Sequence, residues 1–396
     1  MRVLFVDDDP HALERLEDVV RHARVGWESS FAWGAYDALE RLEQCAFDVL
    51  VTDARVTGVE GASLLAEVGD RYPDMARLVL FSSGVTREAL HALPMVHQLL
   101  EKPCDARTLA EAIEHAGSAR DRMPSPAVQR LVGGMRQLPG RPAVFAALTE
   151  ALGDPTTAFG DIAAVVERDV GVAAKLVQVA NTAYFSRGGA IGDVRSAVTR
   201  LGVRLVRDLV LATEVFAWGG APASMDVDAV HRRGLRAAAM ARAIARSDSV
   251  DDAFLAGLLH DVGTLVLARE VPDAWLEAQE TAAAEKRPVS EVERERLGAS
   301  HAEVGAYLLG LWGLPYPCID AVAAHHGPLA PAEPTWPDPL EGMDATTAVH
   351  VATHLAVTPG SVAEGLDAEG LALRGLDGRI APWCRLSSSL FGAEEE

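Results

Sequence analysis

The sequence predicts a protein of at least two domains, in which an α/β domain with a doubly wound parallel sheet precedes an all-α domain. The chain has 396 residues, more than one hydrophobic core usually serves. Within residues 1–116, short β-rich runs alternate with segments of helical spacing, which is typical of βαβ units around a parallel sheet. From about residue 128 to 327, apolar residues recur every three or four positions, which indicates helices throughout.

The composition excludes several classes of function. Hydrophobic residues make up 49% of the chain, an ordinary fraction for a globular protein. The net charge is −21 and no block is rich in Lys or Arg, so we expect no direct nucleic-acid binding and no membrane binding. The first residues form too short an apolar run for a signal peptide, which predicts a cytosolic protein. The four cysteines show no CxxC spacing, which favours reduced thiols.

The elements of the first domain can be predicted in order. β-rich runs occupy residues 3–6, 49–52, 78–81 and 98–100, and helical spacing occupies residues 12–22 and 64–68. A further helix is predicted to begin after Asp105, a favourable N-cap, and to end at Gly117. Residues 118–127 are polar and contain two prolines, so they predict a linker or the start of a connecting helix.

Polar residues follow several of the predicted strands. Asp7–Asp9 come directly after the first strand, and Asp53 follows the run at 49–52. Because the carboxyl ends of parallel strands meet at one edge of a sheet, these acids should lie together and could hold Mg²⁺. Ser82 and Lys102 end the next two strands and add a hydroxyl and an ammonium to that edge. Together these groups could bind a phosphoryl group and neutralise its charge.

These positions resemble, in order and spacing, the receiver domain of two-component response regulators over about residues 1–118. The matching segments are VDDDP, VLVTD, LFSS and LLEKP. The resemblance implies a five-stranded, flavodoxin-like sheet in which Asp53 accepts a phosphoryl group from a sensor histidine kinase. It also implies Mg²⁺ ligands from Asp7, Asp8, Asp53 and the carbonyl of Arg55, and phosphate contacts from Ser82 and Lys102.

Two positions depart from the receiver pattern. The family usually has a Met-Pro pair where this chain has Val56 and Thr57, and an aromatic residue where it has Leu99. Both departures concern the conformational switch by which a receiver responds to phosphorylation, and they leave the phosphoacceptor residues in place. The alternatives are a receiver that is never phosphorylated and a cluster of solvated loop acids.

The stretch GLLHDVGT (257–264) places an ionisable pair within an apolar run. Asp251 or Asp252 is expected to cap a helix that carries His260 and Asp261 on a mostly buried segment. Burial of an ionised carboxylate requires a partner or a metal ion. The pair is therefore a candidate site.

Two further helices are predicted to bring histidines inward. The sequence of residues 300–303 is a capping box, which places His301 at the buried start of a helix. A later helix is predicted from Pro317 to Gly327, with His326 inward and His325 about 100° away around the helix. Neutral imidazole and carboxylate are good ligands for transition metals such as Fe, Mn or Zn, so a binuclear metal site and hydrogen-bonded packing both remain open. The candidate ligands are His260, Asp261, His301, His325 and His326.

Six ordered segments of this region resemble the HDOD domain, an HD-related output module of bacterial signalling proteins, over about residues 130–357. They are LPGRPAVFAAL, ERDVGVAAKLVQVANTAYF, AVTRLG, FLAGLLHDVGTLVL, HAEVGAYLLGLWGLP and AVAAHHG. The HD hydrolases, including cyclic-di-GMP phosphodiesterases, are similar at the five candidate ligands. They differ at three positions, where this chain has Arg233 for an early histidine, Thr353 for a late aspartate and Thr264 for a lysine. His231 lies on nearly the opposite face from Arg233.

We therefore predict a cytosolic response regulator in which phosphorylation of Asp53 controls a non-catalytic HD-like helical domain that acts by protein contact or dimerisation. Two alternatives stay open: a receiver-regulated, metal-dependent phosphohydrolase or cyclic-dinucleotide phosphodiesterase, and a sensor of a nucleotide second messenger. The implied partners are a sensor histidine kinase, a downstream signalling protein and a second copy of the chain in a homodimer. The predicted limits are 1–118 for the receiver domain, 119–129 for a linker, 130–357 for the HDOD domain and 358–396 for a C-terminal extension.

Overall fold

A computed structural model provides the structure of the protein. It describes all residues except 24–25, 54–55, 57–63, 83–94, 124, 136–147, 149–150, 152–156, 182–190, 213–224, 330–342, 357–364 and 392–396.

The first domain is built on a five-stranded parallel sheet with the strand order β2-β1-β3-β4-β5. The central strands β1 and β3 are almost wholly buried, which explains their continuous apolar runs. The order reverses between β1 and β3, so a crevice opens at the carboxyl ends of these strands. This arrangement confirms the predicted fold class. The strands are β1 (Arg2–Asp7), β2 (Glu28–Trp33), β3 (Val49–Asp53), β4 (Ala76–Ser82) and β5 (Gln98–Lys102).

The spacing of apolar residues does not reveal β2, which only the family resemblance implied. Its sequence, ESSFAW, is mostly half-buried or exposed. β2 lies at the edge of the sheet, where a strand buries less apolar surface than a central strand does. The apolar signal of such a strand is therefore weak.

Helices α1 (Pro10–Ala23), α2 (Gly34–Gln44), α3 (Leu64–Arg71) and α4 (Ala106–Arg122) complete this domain. Asp105 caps α4 as predicted, because its side chain accepts hydrogen bonds from two N–H groups of the first turn. The prediction that this helix ends at Gly117 was wrong. At Gly117 a side chain would collide with the sulfur of Met1, so the glycine permits close packing within a helix that continues to Arg122.

The described part of the second domain is helical, as predicted. Its helices α9 and α10 pack against each other and against α16, while α14 packs against α11 and α15. α8 contains a kink at Gly202, whose φ of 74° suits glycine. The helices are α5 (Pro126–Gly133), α6 (Phe159–Val166), α7 (Val170–Asn181), α8 (Val194–Ala212), α9 (Val227–Ile244), α10 (Val250–Leu259), α11 (Val262–Glu270), α12 (Pro272–Glu285), α13 (Val289–Leu297), α14 (His301–Leu311), α15 (Tyr316–Ala324), α16 (Ala345–Ala356), α17 (Ala368–Leu373) and α18 (Ile380–Phe391), with a 3₁₀ turn at Asp377–Arg379.

Within the described ranges, no helix combines the length and the apolar character needed to cross a membrane.

Candidate functional site

The carboxyl ends of β1, β3 and β5 bring charged side chains together. Lys102 Nζ donates to Asp7 Oδ2, 2.5 Å away, and to Asp53 Oδ2, 2.7 Å away. Both carboxylates are buried, whereas Lys102 is partly exposed. Each of these residues is the last of its strand, so the parallel sheet itself places them at one edge. We call Asp7, Asp8, Asp53 and Lys102 the acid edge.

The loop after β1 is held by hydrogen bonds on both sides of Asp8. The Asp9 backbone N–H donates to Asp7 Oδ1 at 3.0 Å, and the Asp9 side chain accepts from the N–H of His11 at 2.9 Å. Trp33, at the end of β2, donates its Nε1–H to the carbonyl oxygen of Asp8 at 3.0 Å. The loop therefore starts α1 with its backbone fixed, while Asp8 itself is exposed.

Other predicted receiver residues can be placed only in part. Ser82 ends β4, and its backbone pairs in register with Lys102. Leu99 lies within β5 in register with Val79. Arg55 and Thr57 lie outside the described residues.

The acid edge has the charge and the oxygen atoms that a hard cation requires. The carboxylates of Asp7 and Asp53 share the single ammonium of Lys102, and Asp8 follows Asp7 in the chain, so negative charge is in excess. Burial of two of these carboxylates makes the excess charge costly without a cation. Carboxylate oxygens are the ligands that Mg²⁺ prefers, so these residues fit a magnesium ion.

The five candidate ligands of the second domain lie where four helices begin or end, and we call them the histidine cluster. His260 and Asp261 occupy the break between α10 and α11, rather than the interior of one helix. His301 is the first residue of α14, after the predicted capping box. His325 and His326 follow the last residue of α15. The predicted cap at Asp251 or Asp252 is instead Ser249, and the two acids lie in the first turn of α10.

The burial of His325 and His326 is the reverse of the prediction. His325 is fully buried, whereas His326 is exposed. α15 ends at Ala324, three residues before the predicted end at Gly327, so these two histidines belong to the turn after the helix rather than to its last turn. His326 nevertheless reaches the cluster, because its Nε2 lies 2.9 Å from Nε2 of His301.

Three imidazoles of the cluster are held in the same way. Nδ1 of His260 and Nδ1 of His325 each lie 2.7 Å from the backbone carbonyl oxygen three residues earlier. Nδ1 of His301 lies 2.5 Å from the carboxylate of Glu293. A carbonyl oxygen can only accept, so Nδ1 of His260 and of His325 carries the proton and Nε2 remains available as a ligand atom. Such outer contacts are typical of histidines that bind metals.

The Nε2 atoms surround Asp261. Nε2 of His260 is 3.4 Å from Asp261 Oδ2, and Nε2 of His301 is 3.6 Å from Oδ1. Nε2 of His325 is buried and makes no hydrogen bond within the described part of the chain. Burial lowers the pKa of His325 well below its usual range, so the ring is neutral at pH 7, the form that binds metals. A buried imidazole nitrogen without a partner fits a transition-metal ion at this position.

Arg233, on α9, occupies the other side of Asp261. Its Nη2 and Nε lie 2.9 and 3.0 Å from Asp261 Oδ2. Burial alone would raise the pKa of Asp261, but His260 in its protonated form, and then the Arg233 guanidinium, hold it well below its usual range. His231 faces elsewhere, since its Nδ1 accepts from the N–H of Val170 at 3.0 Å. The Arg233 guanidinium therefore binds the Asp261 carboxylate, which a second metal ion would need as a ligand.

A cavity of about 380 Å³ opens beside the cluster. Thr264 and Thr353, the residues that replace a lysine and an aspartate of the hydrolases, both line it. Neither hydroxyl supplies the charge of the residue that it replaces. The cavity wall thus lacks a carboxylate at Thr353 and a cation at Thr264.

Sequence reasoning missed Glu293, which is fully buried on α13. Its carboxylate accepts from the N–H of His301 at 2.8 Å and contacts the ring of the same histidine. The segment VERERL alternates acids and arginines, and nothing in its spacing separates Glu293 from its exposed neighbours Glu291 and Glu295. The signal for its role lies only in the packing of α13 against α14.

The two domains meet along α4, which packs against α14 of the second domain. The ring of His115 stacks on Tyr316 with centroids 4.3 Å apart, and Arg122 Nη1 lies 2.5 Å from Asp320 Oδ1. An added Cβ at Gly310 would lie 2.8 Å from the Cβ of Ala119, so the two helices are in close contact there.

The amino end of β5 also touches the second domain. Gln98 Nε2 donates to the carbonyl oxygen of Leu311 at 3.2 Å. Gln178 Nε2, on α7, donates to the carbonyl oxygen of His97 at 2.7 Å. All four groups are buried, so each bond stabilises the interface and would be costly to break. β5 therefore connects the acid edge at Lys102 with the domain interface at Gln98.

Two family models match the chain: the response regulator receiver domain at residues 3–114 and the HDOD domain at residues 138–328. An uncharacterized protein of Treponema pallidum (strain Nichols) is 28% identical over 203 residues, which are 50% of this chain and 39% of that protein. The transcriptional regulatory protein GlrR of Escherichia coli (strain K12) is 30% identical over 115 residues, 29% of this chain and 26% of that protein. The chain thus spans less than half the length of these curated relatives.

Among solved structures, the MmoQ response regulator of Methylococcus capsulatus str. Bath is 25% identical. The alignment covers 63% of this chain and 98% of that chain, with a TM-score of 0.47.

Proposed function

We propose that the protein is a two-component response regulator. The chain carries a response regulator receiver domain followed by an HDOD domain, which confirms both predicted resemblances. In this proposal Asp53 accepts a phosphoryl group and the HDOD domain transmits the signal. The observation that carries it is the acid edge, where Lys102 bridges the predicted acceptor Asp53 and Asp7 at the ends of three parallel strands.

Each residue of the acid edge has a role in this proposal. A carboxylate oxygen of Asp53 forms the new bond to phosphorus as the bond between phosphorus and the nitrogen of the kinase histidine breaks. Lys102 and the hydroxyl of Ser82 contact the transferred phosphoryl group. Mg²⁺, held by Asp7, Asp8, Asp53 and the Arg55 carbonyl, supplies neutralisation of negative charge when bound.

The proposed output is a change in protein contact. β5 carries Lys102 at its carboxyl end, and the residues at its amino end bond to Leu311 and Gln178 of the second domain. A shift of Lys102 toward a phosphoryl group on Asp53 is therefore transmitted along one strand to the interface. The proposed partners are a sensor histidine kinase, a downstream signalling protein and a second copy of the chain.

Phosphorylation of the full chain with acetyl phosphate and Mg²⁺, followed by intact mass spectrometry, tests the acceptor. We expect one phosphoryl group per chain in the wild type and none in Asp53→Asn. Asp18→Asn, which alters an exposed acid of α1, is the matched control and should be labelled like the wild type. Equal labelling of the wild type and Asp53→Asn would refute the proposal.

A second candidate function is favoured by the buried Nε2 of His325, which has no hydrogen-bond partner among the residues that the structure describes. We propose that the histidine cluster binds one transition-metal ion, Fe, Mn or Zn, without hydrolysing a phosphodiester. Arg233 is bonded to Asp261 and Thr353 provides no carboxylate, so a second metal ion has too few ligands. These two residues disfavour the phosphohydrolase alternative.

Elemental analysis of the full chain, purified from metal-supplemented medium, tests this site. About one equivalent of metal is expected in the wild type and none in the double variant His260→Ala/Asp261→Ala. His11→Ala, which removes an exposed histidine, should retain the metal. If the wild type holds no metal, the cluster is hydrogen-bonded packing and this second proposal is wrong.

A further inference from the structure

Trp33 is 66% exposed and lies directly beside the acid edge. An exposed tryptophan indole is usually solvated, yet this one donates its Nε1–H to the carbonyl oxygen of Asp8 at 3.0 Å. We propose that Trp33 is a positioning residue that holds Asp8 in the orientation needed to bind Mg²⁺. The inference rests on the proposed function, because it concerns the same acid edge.

The sheet register brings Trp33 to this position. β2 and β1 are parallel neighbours, and Trp33 is in register with Asp7. The residue that follows Asp7 is Asp8, so the indole reaches across from the adjacent strand to the peptide bond immediately beyond β1. A side chain at an earlier position of β2 would not lie at the edge of the sheet where the acids lie.

The backbone of Trp33 is itself fixed. Its N–H donates to Asp37 Oδ2 at 2.9 Å, and Asp37 forms an ion pair with Arg41 at 2.8 Å. Gly34 follows with a φ of 74°, a left-handed conformation that glycine adopts without strain and that turns the chain into α2. The indole is therefore presented from a defined position rather than from a free loop.

The bond from Trp33 acts on the conformation of Asp8. The direction of the Asp8 carbonyl fixes the ψ angle of this residue and thus the orientation of its Cα–Cβ bond relative to the peptide plane that follows; the side-chain torsions then start from a defined backbone. The neighbours are held by other contacts, since Asp7 bonds to Lys102 and Asp9 caps α1. The indole N–H is the contact made by the peptide carbonyl of Asp8 itself. Without it, Asp8 must be ordered when the cation binds, which weakens affinity.

Calorimetric titration of the full chain with MgCl₂ tests the inference. Trp33→Phe keeps an aromatic ring and removes the N–H, so we expect the Mg²⁺ dissociation constant to rise about two- to tenfold, the range that one hydrogen bond accounts for. Tyr36→Phe is the matched control, because Tyr36 is 71% exposed on the neighbouring helix and should leave the affinity unchanged. The rate of phosphorylation by acetyl phosphate should match the wild type once Mg²⁺ is saturating.

The outcomes separate this inference from the proposed function. If Trp33→Phe binds Mg²⁺ as the wild type does, or loses thermal stability without Mg²⁺ and binds it normally, Trp33 is structural and the inference is wrong. If Trp33→Phe weakens Mg²⁺ binding but the wild type is not phosphorylated on Asp53, the positioning role stands and the proposed function fails. Absence of Mg²⁺ binding by the wild type would overturn the inference outright.

Discussion

Lys102 is the residue on which the electrostatics of the acid edge depend, since its ammonium bonds to two buried carboxylates. Lys102→Met should lower the free energy of unfolding by about 3 kcal/mol at pH 7, because it leaves Asp7 and Asp53 facing each other without a cation. Urea denaturation in Mg²⁺-free buffer measures this loss.

A double variant separates charge repulsion from lost packing at the same position. Asp53→Asn removes one of the two carboxylates, so Lys102→Met/Asp53→Asn should be more stable than Lys102→Met alone. If the second substitution destabilises the protein further, the effect of Lys102→Met is due to packing and the electrostatic explanation is wrong.

At the scale of residues, the sequence predicts site residues that directly follow an apolar strand. It does not predict residues that contact the site from another strand or helix. Asp7 and Asp53 each follow a strand, and in a parallel sheet that order alone places them together. Trp33 belongs to a weakly apolar edge strand, and Glu293 to a run of alternating charges. Their roles arise from contacts with other elements, which one-dimensional spacing does not encode.

At the scale of elements, the contact between α4 and α14 depends on a glycine. Gly310→Val would place a Cβ 2.8 Å from that of Ala119, so the two helices must separate. We expect a loss of about 2 kcal/mol in unfolding free energy and a larger radius of gyration in X-ray scattering.

Gly378→Val is the matched control, since a Cβ at that glycine meets nothing within 4 Å. It should leave the radius of gyration as in the wild type. Gly310→Val with an unchanged radius and unchanged stability would show that α4 and α14 are not held together in solution.

His115, on α4, gives the interface a dependence on pH. Burial lowers the pKa of this histidine to about 4, so the unfolded chain takes up a proton at a higher pH than the folded chain does. Stability from the neutral ring is fully present above about pH 6.5 and is lost as the pH falls from there toward 4. His115→Phe retains stacking on Tyr316 and removes the titrating ring. When the pH falls from 7.5 to 5.5, its free energy of unfolding should therefore decrease by about 1 kcal/mol less than that of the wild type.

Urea denaturation at the two pH values measures this difference. His11→Phe, at an exposed position on α1, should show the same pH dependence as the wild type. An equal loss of stability in His115→Phe and the wild type would mean that His115 titrates alike in the folded and unfolded chains.

Helix ends are where prediction of the elements fails. Gly117 has the sequence signature of a helix stop, but α4 continues to Arg122 and the glycine instead lies against Met1. For His325 and His326, the predicted rotation assumed that α15 reached Gly327, whereas the helix ends at Ala324. In both cases the local residue pattern places the helix end several residues from where the structure has it.

At the scale of the whole molecule, phosphorylation should be detected across the domain interface. Hydrogen exchange of the full chain treated with acetyl phosphate and Mg²⁺ should change in α4 and α14, because β5 links Lys102 to the buried bond between Gln98 and Leu311. Asp53→Asn under the same treatment provides the baseline. An exchange difference confined to the residues around the acid edge would contradict control of the second domain.

The order and class of the two domains could be predicted from the alternation of patterns along the chain, but their packing could not. The interface uses buried polar groups such as Gln98 and Gln178, and glutamine has no periodic signature that marks it as a contact. The sequence also does not indicate which residue an aromatic side chain such as Tyr316 contacts. We retain the predicted limits of the domains as a proposal, with α4 extended to Arg122.

α4 has a consequence for the recombination of signalling domains. His115 and Arg122 lie on either side of the proposed boundary at residue 118, yet both rest on Tyr316, His115 by stacking and Arg122 with its guanidinium 5.6 Å from the ring centroid. A hybrid that joins a foreign receiver at residue 118 would keep one of these contacts and replace the other. A foreign receiver domain therefore cannot simply replace the native one in front of this output domain. A functional hybrid protein must also retain the residues of α4 that contact the second domain.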